Sequence, residues 1–140
     1  STLRNKIFEK IKRYNGKLIN IIHPKAMYQN ARLGKGLIIG PNVYFGKNSI
    51  IGDGSVISFN SHVGHDTKIG KNCIIESGSM ILGWCKIGNH VHIGSNATIK
   101  QSIFIGNNVV VGMGSVVIEN VKNFFSVFGN PARTFYKRNK

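Results

Sequence analysis

Residues 51–75 read IGDGSVISFNSHVGHDTKIGKNCII, and the spacing of their aliphatic side chains decides the fold. Ile51, Ile57, Val63, Ile69 and Ile75 recur at every sixth position. The step continues outward without an insertion, through Leu33, Ile39 and Phe45 on one side and Ile81, Ile87, Ile93, Ile99, Ile105, Val111 and Val117 on the other. All fifteen positions are large and apolar, and Met27 and Ile21 extend the series backwards. Gly follows at ten of the fifteen steps. Two residues before each step the side chain is small or branched, as at Ser55, Ser61, Thr67, Cys73, Ser79 and Cys85. Three residues after it stands Gly, Asn or Asp at twelve of fifteen, among them Asn48, Asp66, Asn72 and Asn120.

A period of six fits neither a helix of 3.6 residues per turn nor an alternating strand. It is the hexapeptide pattern of a parallel β-helix. The aliphatic residue fills the coil interior and the small residue points inward beside it. The Gly/Asn/Asp position tolerates positive φ and turns the chain. Three such turns close a triangular coil of ~18 residues, and coils stack at the ~4.8 Å spacing of strands. Fifteen steps predict about five coils, more than the roughly three a solenoid needs.

Composition narrows the classes. The 140 residues suit one domain, and 41% apolar with 17% charged residues is a folding composition. No apolar run approaches the ~20 residues of a membrane span. The two cysteines cannot build a disulfide framework, and no signal-peptide pattern shows. The net charge of +14 is uneven. Residues 1–35 carry +8, residues 36–120 carry +1 and residues 121–140 carry +5. A basic end suits solvent, an anionic membrane surface, a phosphorylated cofactor or an acidic carrier protein.

Three segments follow. Residues 1–24 hold an amphipathic helix and a strand leading into the coils. Leu3, Ile7, Phe8 and Ile11 lie on one helical face, Arg4, Lys6, Lys10, Lys12 and Arg13 mostly on the other, and Gly16 ends the helix. Such a helix packs on a core or neighbour, or lies on a membrane. Residues 25–121 form the β-helix. Residues 122–140 form a cap and basic tail, with Phe124, Phe125 and Phe128 over the last coil.

The turn position departs from Gly/Asn/Asp at Trp84, His90 and Ser102. Residues 18 apart share a column, so one corner collects His65, Asp66, Gly83 and Trp84. Functional sites tend to sit where local rules fail. An exposed Trp on a polar corner suits a ligand or a second subunit. An imidazole beside a carboxylate suits a general base, although Asp66 also reads as one more turn residue. Gly83 can offer a backbone N–H to an oxyanion, or serve only the turn.

The run His62-Val63-Gly64-His65-Asp66-Thr67-Lys68-Ile69-Gly70 resembles a segment of a bacterial sugar acetyltransferase family, which comprises sialic-acid O-acetyltransferases and nucleotide-linked amino-sugar N-acetyltransferases. Leu82-Gly83-Trp84-Cys85-Lys86-Ile87-Gly88 is similar to its next coil. Gly112-Met113-Gly114-Ser115-Val116-Val117 and Gly129-Asn130-Pro131-Ala132-Arg133 resemble its closing motifs, and Ile21-Ile22-His23-Pro24-Lys25-Ala26 its lead-in. The likeness covers roughly residues 18–135.

This resemblance implies a left-handed β-helix, a homotrimer and acetyl-CoA held in the groove between two subunits. It implies a cytoplasmic bacterial enzyme without a metal. His65 is implied as the base that deprotonates an amine or hydroxyl of a surface-polysaccharide sugar, Asp66 as its partner, and the Gly83 N–H as facing the thioester oxygen. Cofactor contacts carry over to Ile74, Ser95 and Met113, and Trp84, on the same corner as His65, is expected to face the cofactor as well. Arg133, Lys137 and Arg138 suit the CoA phosphates. Two positions depart from the pattern: Ile74 stands where members often have His, and Ser58 where they often have Asn. Members usually carry a preceding α/β domain for the sugar nucleotide. Only its last helix and the Ile-His-Pro lead-in are matched, at residues 3–24, so a short natural form or an excised C-terminal part is expected.

Other readings fit less of the pattern. A three-histidine zinc site on the same solenoid needs stacked histidines, and no two of His23, His62, His65, His90 and His92 differ by a multiple of 18. An acyl-carrier-protein donor suits the basic ends. A non-enzymatic scaffold leaves the His65–Trp84 corner without a reason. Nucleic-acid binding lacks aromatic residues interleaved in the basic segments. Cys73 and Cys85 are inward positions on different faces, so they read as core thiols.

Overall fold

The computed structural model describes residues 2–137; Arg138 lies outside the described residues. Each hexapeptide forms one two-residue strand, seventeen in all, from β1 (Ile21–Ile22) to β17 (Val116–Val117). Ile57 lies beside Ile39 and Ile75, Val63 beside Phe45 and Ile81, and Ile69 beside Ile51 and Ile87, all in parallel. The outcome is a three-sided solenoid with sheets of eight, six and five strands. It makes about six turns, one more than the fifteen steps predict. The steps at Ile21 and Met27 also become strands, and Phe125–Gly129 (β18) adds to the eight-stranded sheet beside Val110–Val111.

The interior is the aliphatic column. Phe45, Ile57, Val63, Ile75, Ile81, Ile93, Ile99 and Ile105 are fully buried. The small inward residues build a second framework beside it. Ser55, Ser61, Thr67 and Ser79 each donate to the carbonyl fifteen residues on, at 2.9–3.1 Å. Cys73 and Cys85 continue the series as thiol donors at 3.1 and 3.2 Å. Fifteen is one coil less half a hexapeptide, so a side chain pointing inward and along the axis meets that carbonyl. Both cysteines are buried and unpaired.

Turns sit where the sequence places them. Asn42, Asn48, Asn60, Asp66, Asn72, Asn96 and Asn108 all have φ between 54 and 61°. Trp84, His90 and Ser102 adopt the same left-handed conformation, at 56, 58 and 62°. Asn120 does not turn the chain in this way; its Oδ1 accepts the Phe104 N–H at 2.8 Å instead.

The corner between the five- and eight-stranded sheets is laced by side-chain amides and carboxylates. Lys35 N–H donates to Asp53, Lys71 N–H to Asn89, Asn89 N–H to Asn107 and Asn107 N–H to Asn123, at 2.7–2.9 Å. Helix α1 (Thr2–Arg13) packs on this same corner. Phe8 lies against Gly36 and Gly54, and Arg4 donates to the Gly54 carbonyl at 2.9 Å. A convex corner offers a helix only a narrow contact. Phe8 and Ile11 are half-buried, while Leu3 and Ile7, expected on the packed face, are exposed. The helix ends through Asn15, at φ 54°, with the Gly16 N–H on the Ile11 carbonyl at 2.8 Å. At the other end β18 and β19 (Ala132–Lys137) form an antiparallel hairpin. Val127 is the buried residue of this cap, with Phe125 and Ala132 partly buried against the core. Phe128, expected over the last coil, lies outward across Gly112.

Candidate active site

The corner between the six- and five-stranded sheets brings together His65, Asp66, Gly83 and Trp84. His65 Nδ1 lies 2.9 Å from Asp66 Oδ2. The other Asp66 oxygen accepts from Asn48 Nδ2 at 3.1 Å. These two hydrogen bonds, His65 first, hold the Asp66 carboxyl below its ordinary value, and the Lys47 charge adds to them. An imidazole whose Nδ1–H is engaged by a carboxylate leaves Nε2 as its acceptor. That Nε2 faces Gly83, since a Cβ on Gly83 would stand 2.7 Å from it. Glycine is therefore needed here for close approach rather than for the turn. The Gly83 N–H donates to none of the described residues.

Trp84 stacks one coil above Asp66, its N–H on the His65 carbonyl at 3.0 Å. Its ring meets the His65 ring edge to face, with centroids 4.3 Å apart at 86°. Trp84 is still 50% exposed. The corner thus holds an imidazole oriented by a carboxylate, open to solvent, beside a bare backbone and an aromatic wall. This arrangement can accept a proton from a bound nucleophile. Asn48 was not singled out by the sequence reading, yet the column arithmetic contains it, eighteen residues before Asp66.

Of the residues expected at the cofactor, Trp84 shares the His65 corner and the others lie elsewhere on the chain. Ser95 and Met113 share a column at the corner between the eight- and six-stranded sheets, where Gly114 N–H donates to the Ser95 carbonyl at 2.8 Å. Ile74 is on the outer face of the eight-stranded sheet, in register with Val56 and His92. Arg133 is on the terminal hairpin, 4.0 Å from Glu119. Lys137 ends β19 and is exposed. Within one chain the width of the six-stranded sheet separates the Ser95–Met113 corner from the His65 corner.

His92 makes a second histidine–carboxylate pair, with Nε2 3.1 Å from Glu76 Oε1. His62 stacks on Tyr44 with centroids 4.9 Å apart, and burial lowers its pKa. Burial pushes the Cys73 thiol up to about 11 and raises Cys85 as well, so neither is placed as a nucleophile. Among the described residues no three His, Cys, Asp or Glu side chains converge as metal ligands. Among the described residues no helix is long and apolar enough to cross a membrane.

Fold and corner together define a hexapeptide-repeat solenoid with a histidine–carboxylate site. The model of bacterial transferase hexapeptide repeats matches residues 30–65 and 66–101, and that of the hexapeptide repeat of succinyl-transferase matches residues 85–119. The chain belongs to this family of bacterial hexapeptide-repeat transferases. Among curated proteins none matches the sequence.

Solved structures are close in shape. A perosamine N-acetyltransferase from Caulobacter crescentus, solved as a histidine-to-asparagine variant with CoA and GDP-perosamine, is 29% identical at a TM-score of 0.95. The match covers 96% of this chain and 65% of that one. The acetyltransferase domain of PglB from Neisseria gonorrhoeae FA1090, solved with acetyl coenzyme A, is 27% identical at 0.93, covering 96% and 66%. WeeI from Acinetobacter baumannii AYE is 25% identical at 0.79. The chain thus spans about two thirds of the length of these proteins.

Proposed function

We propose that the protein is an acetyltransferase that moves the acetyl group of acetyl-CoA to an amine or hydroxyl of a bacterial surface-polysaccharide sugar, of the nucleotide-linked amino-sugar or sialic-acid type. The observation that carries this reading is the His65–Asp66 pair facing Gly83. The acceptor N–H or O–H gives its proton to His65 Nε2 as its lone pair attacks the thioester carbon. Asp66 holds the imidazolium that forms. The carbonyl oxygen becomes an oxyanion within reach of the Gly83 N–H. Collapse expels the CoA thiolate, which takes up a proton, and no acyl-enzyme forms. The neighbours bound to CoA, acetyl-CoA and GDP-perosamine support this choice of donor and acceptor.

The separation of the two corners supports a homotrimer. A neighbouring copy can bring its Ser95–Met113 corner and Ile74 to the His65 corner, so that acetyl-CoA lies between subunits with Trp84 as a wall. Arg133 and Lys137 suit the outer end of the cofactor. A cytoplasmic location follows from the donor. The basic ends leave room for an anionic membrane surface or an acidic carrier protein as partner. The segment assignment follows the same reading: residues 25–121 catalyse, residues 1–24 lead in, and residues 122–140 cap and contact cofactor.

Replacing a general base typically lowers turnover ~10²–10⁴-fold. His65→Ala is therefore expected to lose that much acetyl transfer to GDP-perosamine, with the circular dichroism spectrum unchanged. Asp66→Asn loses less, because Asn keeps the left-handed turn. Unaltered turnover in His65→Ala sinks the assignment.

A further inference from the structure

The outer rows of the three sheets differ in charge. The six-stranded row runs Met27, Tyr44, His62, Met80, Thr98 and Val116, and the eight-stranded row is aliphatic up to β16 apart from His92, then passes through Ser126 to Tyr136. Neither row holds a Lys or Arg; the cations of β19, Arg133 and Lys137, lie off the row at the end of the eight-stranded sheet. The five-stranded row runs Arg32, Ile50, Lys68, Lys86 and Phe104, with Lys68 and Lys86 directly in register. Like charges opposite one another on neighbouring strands are destabilising. Nothing in the fold relieves them. Asp53 is engaged by Lys71, Glu76 by His92, Glu119 by Arg133 and Asp66 by His65. Among the described residues none of Arg32, Lys68 and Lys86 has a carboxylate within ion-pair distance. These cations line a groove of about 730 Å³ that has Asp66 and Trp84 on one side and Phe104 in its wall. The groove therefore opens from the His65 corner.

From this placement we infer that Lys68 and Lys86, with Arg32, bind the diphosphate of a substrate whose reacting end enters at His65. Adjacent strands set the backbones of the two lysines at roughly the ~4.8 Å strand spacing, so their ammonium groups can each reach one of two linked phosphates. The unpaired cations are then held for a ligand, and the ligand removes their mutual repulsion. The identity of the substrate rests on the acetyltransferase reading above. Two substrates of that reaction carry a diphosphate: CoA and a nucleotide-linked sugar.

The test is calorimetric titration of wild type and Lys68→Gln/Lys86→Gln with inorganic pyrophosphate, CoA, phosphate-free pantetheine and GDP. Lys17→Gln/Lys25→Gln, which removes the same number of charges away from the groove, serves as a control for net charge. Two exposed charge contacts are together worth about tenfold in affinity. The Lys68→Gln/Lys86→Gln variant is expected to bind pyrophosphate about tenfold more weakly, whereas Lys17→Gln/Lys25→Gln matches wild type. A parallel loss for CoA but not pantetheine assigns the groove to the donor, and a parallel loss for GDP assigns it to the acceptor. Pyrophosphate binding without binding of CoA or GDP keeps the groove and removes the acetyltransferase reading. Equal affinity of wild type and Lys68→Gln/Lys86→Gln for pyrophosphate, or no binding by wild type, overturns the groove.

Discussion

Asp66 has two carboxylate oxygens and the corner uses both, one on the His65 ring and one on the Asn48 amide. Its carboxyl therefore titrates below the ordinary carboxylate range. A depressed value means that the pair's contribution is present above the unfolded value of about 3.9 and is lost as pH falls through the lower folded one. Carboxyl-detected NMR is expected to give Asp66 a midpoint below that of an exposed Asp, and His65→Ala is expected to raise it. A midpoint that ignores His65→Ala would show that the 2.9 Å contact does not persist in solution. The adjacency of His65 and Asp66 was legible in the sequence, and so was their column with Gly83 and Trp84, because stacking follows from counting by eighteen. The reason for Gly83 was not legible. A glycine beside a turn looks the same whether it serves backbone freedom or, as here, yields the space that the His65 ring fills.

At the scale of the strand, a hexapeptide is too short to hold itself and depends on its neighbours one coil away. Thr67 displays this dependence. Its Oγ1 donates to the Leu82 carbonyl at 2.9 Å and accepts the buried Cys85 N–H at 3.2 Å. Thr67→Val keeps the shape and removes both bonds, leaving that N–H without its acceptor, which costs about 1–3 kcal/mol. Thr67→Ser keeps the hydroxyl and is expected to lie within about 1 kcal/mol of wild type. Urea denaturation separates the two, and equal midpoints for both variants would remove the ladder from the stability of the coil. The sequence announced that position 67 is small and inward, since it repeats every six residues. It did not announce the bond fifteen residues away, which depends on the axial lean of the side chain. The helix was legible in the same partial way. Its period placed Phe8 and Ile11 correctly, but periodicity does not tell a flat sheet from a convex corner, and Leu3 and Ile7 were lost to that difference.

For the whole molecule, charge decides how copies can meet. At +14, two chains repel unless the contacting surfaces are free of cations. The sequence totals located the excess at the two ends but not on one face, because Arg32, Lys68 and Lys86 align only after the coil is closed. A three-fold ring joins two different patches of each copy. The two corners that bound the six-stranded face supply such a pair, and the outer row of that face holds no Lys or Arg, with Met80 45% exposed. For the Ser95–Met113 corner of one copy to reach the His65 corner of the next, the six-stranded face between these corners turns toward the three-fold axis, and the cationic five-stranded face lies outward. Light scattering is expected to give about three times the 15.4 kDa chain mass. Met80→Glu places a carboxylate in the middle of the contact, where its desolvation costs several kcal/mol. It is expected to give monomers that keep the solenoid's circular dichroism and lose acetyl transfer, because each site is shared. Lys68→Glu, on the outward face, is expected to remain trimeric. A wild-type monomer, or dissociation by Lys68→Glu in place of Met80→Glu, would mean that the copies meet through the cationic face or not at all.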